Sequence, residues 1–400
     1  MSVDFQQLRK QITALGDRAP AKAREIKKLR EQTLEKLEKF STQRDFLIQR
    51  VDRVENTFDP SLRCALPVKD FIWREEPLDA CFSLPDLPDQ ATVLAVDGSQ
   101  ITPDRHAEVN YCLINLGAIR LNHASAEAPV TFVETKLYYG EDLFTEYGQL
   151  SEARLALQRD FFEREYIARL ALSCEGLVVS FTDGPMELWG SRDPAESSAY
   201  KQTLDDYCSV LVDLRHQGVI TAGYVDKPGA NLVVRLLEVA SIPDDELTNV
   251  RRTFPLRGVT DFWLYQYLLQ PGERSAVFAI QSKSVRSYPG ETALYFFYLN
   301  VGTDEAPWIA RVEVPTWVVE NNCDLDLLHA ILIDQCRVLG GRSYPYLLHR
   351  AHETAVVTQP EKAQVTQMIV QELIRRGVTT DRISYKKSTK DLAGRARYRI

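Results

Sequence analysis

The 400-residue chain has none of the short signatures that bind nucleotides or dinucleotides. No Gly-x-x-x-x-Gly-Lys-Ser/Thr loop is present to cradle phosphates, and no Gly-x-Gly-x-x-Gly follows a strand. The chain is therefore expected neither to hydrolyse ATP nor to carry a nicotinamide. It also lacks a Gly-x-Ser-x-Gly nucleophile elbow. Its seven cysteines are odd in number and scattered, without a Cys-x-x-Cys pair, so they read as reduced packing residues and not as zinc ligands or disulfides. No uncharged apolar run approaches bilayer length, and no basic-then-apolar leader opens the chain, so a cytoplasmic protein with no membrane segment is expected. Nor is there an excess of positive charge: 48 Lys and Arg stand against 56 Asp and Glu, a net charge of −8. That excludes coating nucleic acid by bulk electrostatics, but not a local basic groove.

What the chain does have is a 44% hydrophobic content, enough for at least one large core, and two apolar runs that end in Asp-Gly. The first is Ala91-Thr-Val-Leu-Ala-Val-Asp97-Gly98-Ser99-Gln100; the second is Leu177-Val-Val-Ser-Phe-Thr-Asp183-Gly184. Each reads as a buried strand that delivers a carboxylate at its lip, where the chain turns. A single Asp-Gly after a strand is ordinarily just a turn. Two of them, on neighbouring strands, would place two carboxylates close enough to share a cation.

Residues 1–57 read as a helical extension, with Phe5, Leu8, Ile12 and Leu15 at helical spacing, an interruption at Pro20, and then Ile26, Leu29, Leu34 and Leu37. This suits dimer or partner contact, or a plain pair of helices folded back on the body. Residues 58–90, with five prolines, read as an irregular linker or wrap. From 91 onward the pattern gives strands at 109–121 and 129–139, a helix over 151–174 capped by Ser151, and helix 193–217. Strand 219–225, helix 230–239, strands within 275–314 and helices 324–338 and 360–376 follow. An antiparallel meander followed by alternating helices and strands is the element order of ribonuclease-H-like α/β folds, a mixed sheet flanked by helices. The C-terminal run containing Lys386, Lys387 and Lys390 is basic enough to contact phosphate, or simply to be solvated.

The remaining chemistry is carboxylate and imidazole: Asp97, a glutamate in the 151–174 helix, Asp183 and His352. Such a donor set suits Mg²⁺ and, still better, Mn²⁺. Two such ions about 4 Å apart activate water and stabilise the leaving oxygen of a phosphodiester. Glu165 shares a helix face with Phe161, Phe162 and Leu172, while Glu163 lies over Tyr166, Ile167 and Leu170, and periodicity does not separate them.

The succession Val-Asp97-Gly-Ser, a Glu-bearing helix, Asp183-Gly, Gly-Tyr224-Val-Asp-Lys227-Pro, Arg-Val-Glu313-Val-Pro and Tyr344-Pro-x-x-Leu-x-x-Ala-His352 resembles the NurA-type nuclease family over residues 91 to about 375. The resemblance implies a Piwi-related ribonuclease-H-like nuclease domain over 91–400. It also implies a Mn²⁺-dependent 5′–3′ exonuclease on DNA, with single-strand endonuclease activity, that works as a homodimer beside a HerA-type hexameric ATPase in end resection. By motif it implies Asp97, Asp183 and His352 as metal ligands, with Tyr344 near the scissile phosphate and Lys227 on a phosphate. Glu165 is the choice for the remaining ligand and Glu163 the reserve. The second motif departs from the family in reading Asp183-Gly-Pro, and the first 90 residues exceed the minimal pattern. The rival reading is a non-catalytic DNA-end-binding or ATPase-docking adaptor on the same fold.

Overall fold

The computed structural model describes residues 3–69, 71, 75–104, 109–145, 148–190, 197–340 and 343–378. The basic run with Lys386, Lys387 and Lys390, and the expected helix start at Asp193, lie outside the described residues.

In chain order the helices are α1 Phe5–Phe40, α2 Arg44–Thr57, α3 Glu152–Ala171, α4 Ser197–His216, α5 Leu232–Ser241, α6 Asp261–Leu268, α7 Thr316–Glu320, α8 Asn322–Val338, α9 Tyr346–Ala355 and α10 Gln359–Arg375. The strands are β1 Cys64–Pro67, β2 Cys81–Phe82, β3 Ala91–Ile101, β4 Tyr111–His123, β5 Val130–Tyr139, β6 Phe144–Thr145, β7 Gly148–Gln149, β8 Val178–Asp183, β9 Val219–Val225, β10 Arg274–Ser275, β11 Phe278–Gln281, β12 Leu294–Asn300 and β13 Ile309–Pro315. The chain forms two compact units. One comprises 1–87, 184–187 and 223–343; the other comprises 88–183, 188–222 and 344–400.

In the second unit β3, β4 and β5 form the expected antiparallel meander, with Ala91 opposite His123 and Asp97 opposite Gly117. β8 joins β3 in parallel, from Thr92↔Val178 to Val96↔Thr182, and β9 lies on the far side of β8. The order β9-β8-β3-β4-β5 is the fifth-fourth-first-second-third arrangement of ribonuclease-H-like folds, and helices flank it. The alternation of side chains then assigns the faces. Gly98 faces α3, where an added Cβ would lie 2.6 Å from Arg159 Cγ. Gly117, opposite Asp97, faces α9, where a Cβ would lie 2.5 Å from the Ala355 nitrogen. α3 begins at the expected cap, with the Ser151 hydroxyl accepting from the Arg154 amide.

In the first unit β1, β11, β12 and β13 pair antiparallel in that order, and the end of β9 pairs with β13. Two expectations change here. The stretch 58–90 contains strands β1 and β2, because Cys64-Ala-Leu-Pro67 is apolar throughout and buried against β11; Pro67 is tolerated because β1 is an edge. Helix α1 also continues through Pro20. The carbonyl four residues earlier belongs to Gly16, in an exposed stretch of α1 where no packed neighbour holds the backbone against the proline ring. Among the described residues no helix is long and apolar enough to cross a membrane.

Candidate functional site

Asp97, Gly98 and Ser99 do not turn; they continue β3, and each supports a different neighbour. Pairing with β4 runs on to Ile101↔Leu113, past the point where β8 stops. Asp97 Oδ2 lies 2.7 Å from His352 Nδ1, and its Oδ1 accepts from the Gly98 amide at 2.8 Å. The Asp97 side chain is 13% exposed and that of His352 is 63% exposed, so the imidazole stands at the rim over a sheltered carboxylate. Ser99 points the same way and donates to the Ala355 carbonyl at the end of α9, to which Asn115 Nδ2 also donates at 2.8 Å. With Gly117 lacking a side chain, α9 can lie directly on β4 while these two donors hold its last carbonyl. His352 is thereby set over Asp97.

Gly98 serves the opposite face. An added Cβ would lie 2.7 Å from Glu163 Oε1, so this glycine is where the α3 carboxylate reaches the strand. Glu163 is 5% exposed and sits 3.4 Å from Arg159 Nε; Arg159 also holds Asp160 at 2.7 Å. Burial, together with the negative charges of Asp160 and Asp97, pushes the Glu163 carboxyl well above the usual carboxylate range, against the pull of Arg159 and Arg164. Asp160 is raised as well, chiefly by burial, with Arg159 opposing. The next side chain, Arg164, is buried and pins α3 to the neighbouring strands through Thr182 Oγ1 and Thr221 Oγ1, each at 2.7 Å, and the Ala222 carbonyl at 3.3 Å. Glu163 and Arg164 therefore fix the rotation of α3 between them.

The structure separates the two helix glutamates. Glu165, the preferred ligand by sequence, is 34% exposed and pairs with Lys136 at 3.4 Å, whereas the reserve, Glu163, is the one against Gly98, where it feels the charge of Asp97. The physical reason is α3's rotation: residue 163 lies under the glycine, and residue 165 points along β5 toward Lys136. Asp183 ends β8 as expected and turns at Gly184, whose φ is +89°. It lies one residue beyond the last pair, Val96↔Thr182, so it neighbours Asp97 across an interstrand gap of about 5 Å. Tyr344 stands just before α9, while His352 is six residues beyond the first residue of that helix, about 9 Å along its axis. Lys227 belongs to the other unit. It has a φ of +43°, and its ammonium lies 5.3 Å from the Trp308 ring centroid and 5.9 Å from that of Phe262.

The motif residue Glu313 is also in that unit, fully buried. It pairs with Arg311 at 2.8 Å and accepts from the Met186 amide at 2.9 Å, which fixes the segment after Asp183. Gly184 donates to the Tyr224 carbonyl at 2.8 Å in the same segment. Sequence reasoning missed Arg159, Asp160, Asn115 and Gly117. The signals were present: Arg159 and Asp160 stand four and three residues before Glu163 on one helix face, and an isolated Gly117 inside an apolar strand marks a close backbone approach.

The donors Asp97, Glu163, Asp160, Asp183 and His352 are oxygens with one imidazole, the set that suits a hard divalent cation. Burial and two further carboxylates raise the proton affinity of Glu163, so a bound cation would compete with that proton for the carboxyl. Among the described residues no three of these side chains already form a metal-holding group. Asp97 and Gly98 point to opposite faces, and Arg159 supplies the positive charge on the α3 side.

No curated protein sequence matches the chain. Among solved structures, the NurA nuclease from Sulfolobus solfataricus is similar at 9% identity and a TM-score of 0.46, covering 71% of this chain and 85% of that one. The catalytic domain of human endonuclease V is similar at 14% identity and a TM-score of 0.33, over 81% and 96% of the two chains. Drosophila Piwi is similar at 12% identity and a TM-score of 0.31, over 68% of this chain and 30% of that one. The family model of the NurA domain matches residues 91–357, a span running from the first residue of β3 to just beyond α9, and the chain belongs to the NurA domain family.

Proposed function

We propose that the chain is a metal-dependent nuclease that hydrolyses phosphodiester bonds in DNA. The observation that carries this reading is a single tripeptide: Asp97 under His352, Gly98 over the buried Glu163, and Ser99 holding the end of α9. A strand with only a packing role has no need to shelter carboxylates on both of its faces, because burying several carboxylates around one arginine and one imidazole is costly. Membership of the NurA domain family supports the same reading.

Asp97, Glu163, His352 and Asp183 are the residues proposed to hold Mn²⁺, with Mg²⁺ as the alternative. When bound, the ion pair supplies an activated water and offsets charge on the leaving oxygen. The protein's own contribution is positioning. His352, with Nδ1 on Asp97, keeps Nε2 directed outward as a ligand or proton acceptor. Arg159 balances the α3 carboxylates at rest, and Tyr344 and Lys227 are proposed to contact the phosphate chain. Within this reading the enzyme is a cytoplasmic homodimer, a 5′–3′ exonuclease with single-strand endonuclease activity. It acts in end resection and repair beside a HerA-type hexameric ATPase, since the sequence carries no nucleotide-hydrolysing loop of its own.

The test is cleavage of 5′- and 3′-labelled linear DNA with Mn²⁺, Mg²⁺ or chelator, by the native protein and by Asp97→Ala. Metal-dependent shortening is expected, lowered in Asp97→Ala by about a thousandfold or more, some 4 kcal/mol of barrier. Equal cleavage by the variant, or cleavage in chelator, would remove the proposal.

A further inference from the structure

The segment Arg251-Arg-Thr-Phe-Pro-Leu-Arg257-Gly258 carries three arginines around a phenylalanine in a chain whose net charge is −8. It forms one wall of a cavity of about 500 Å³ lying wholly within the first unit, opposite the start of α5 and the loop holding Asp59 and Arg63. Four arginines line this cavity, Arg63, Arg235, Arg251 and Arg257, against two carboxylates, Asp59 and Glu238. The wall is built rather than draped. Arg235 Nη1 donates to Glu238 at 2.8 Å and to the Thr253 carbonyl at 2.8 Å, and Nη2 donates to the Val250 carbonyl at 2.7 Å. Glu238 in turn accepts from the Leu256 amide at 2.9 Å. The buried pair thus fixes both ends of the arginine-bearing segment. Arg63 is held by the fully buried Glu187, at 3.1 and 2.6 Å.

Two guanidinium groups retain donors toward the cavity. Arg251 uses Nε on Asp59 at 3.0 Å, leaving both Nη groups, and Arg257 has no side-chain partner among the described residues. Phe254 is 45% exposed, with Arg235 lying 4.4 Å from its ring centroid. The α5 amides add nothing, since Asp261 takes those of Val233 and Val234. Forked guanidinium donors match phosphate oxygens, and a partly open aromatic ring beside a cation matches a nucleobase. The volume is more than a free phosphate requires and lies in the range of small-molecule sites.

We propose that this cavity binds a nucleoside monophosphate, free or as the phosphorylated end of a strand, with Arg251 and Arg257 on the phosphate and Phe254 on the base. The cavity is lined by residues of the first unit alone, whereas Asp97 belongs to the second, and binding there needs no catalysis. Calorimetric titration of the full chain in chelator with dAMP, adenosine and inorganic phosphate tests it, beside oligothymidylates bearing a 5′-phosphate, a 3′-phosphate or neither. The phosphorylated ligand is expected to bind at least about tenfold more tightly than its unphosphorylated counterpart. Arg257→Gln, which has no pairing to lose, and Arg251→Gln/Arg257→Gln should remove that preference without changing the unfolding temperature. Phe254→Ala should weaken dAMP while sparing inorganic phosphate. Preference for dAMP alone identifies the free nucleotide as the source, and preference for one oligothymidylate identifies that strand end. No preference for any phosphorylated ligand, or full preference in the double variant, overturns the proposal. Because chelator blocks metal-dependent cleavage, either result leaves the nuclease reading untouched.

Discussion

Asp97-Gly98 and Asp183-Gly184 are the same dipeptide after the same kind of apolar run, yet the structure uses them differently. At Asp183 the strand ends and Gly184 supplies the positive φ of a turn, with nothing within 4 Å of where a Cβ would stand. At Asp97 the strand continues, and Gly98 has no Cβ because Arg159 and Glu163 occupy its place. One glycine is there for its backbone and the other for the space it leaves. Local sequence cannot separate the two, because the difference lies in what packs above them: open space in one case, α3 in the other.

The two glycines should respond unequally to the same substitution. Gly98→Ala should displace the Glu163 carboxylate and the Arg159 stem, at a cost of about 2 kcal/mol in thermal unfolding. Its effect on cleavage should be larger, about a hundredfold or more, because the carboxylate itself moves. Gly184→Ala meets no neighbour and should cost only the strain of a left-handed alanine, about 1 kcal/mol. Equal responses would mean that Gly98 is merely a turn glycine like Gly184. Ser99→Ala removes one of two donors to the Ala355 carbonyl, so a loss of about 1 kcal/mol is expected, with roughly tenfold slower cleavage as His352 loosens. No change in rate would show that Asn115 alone sets α9.

A smaller effect concerns pH. Because the folded Glu163 carboxyl titrates well above its ordinary value of 4.5, the folded state binds a proton that the unfolded state has released. Stability of the metal-free protein should therefore fall as pH rises from about 4.5, and Glu163→Gln should flatten that fall in melting experiments run with chelator. A profile unchanged by the substitution would contradict the burial argument.

The fold was largely legible because its signals were periodic: three strands of alternating or continuous apolar residues, a Ser-capped helix, and a second strand ending at Asp183. The ordering of ribonuclease-H-like elements followed from these. The short helix α9 was not read as a helix, since Tyr344-Pro-Tyr-Leu-Leu-His-Arg-Ala-His352 attracts notice for its chemistry and not for its length. The choice between Glu163 and Glu165 was out of reach as well. Both have apolar neighbours at helical spacing, and the rotation of α3 is set by a buried arginine, Arg164, that bonds to strands far away in sequence. The strands in 58–90 were hidden by proline content, because pairing of an edge strand depends on a partner two hundred residues later.

On the geometry of β3 and α3, Asp97 works with Glu163, reached through Gly98, and not with Glu165. Cleavage rates of Glu163→Gln and Glu165→Gln, measured side by side on one labelled DNA with Mn²⁺, address it directly. A loss of about a thousandfold is expected in Glu163→Gln and a change within about threefold in Glu165→Gln, whose carboxylate is part-exposed and paired with Lys136. Full activity in Glu163→Gln, or collapse of activity in Glu165→Gln alone, would contradict it.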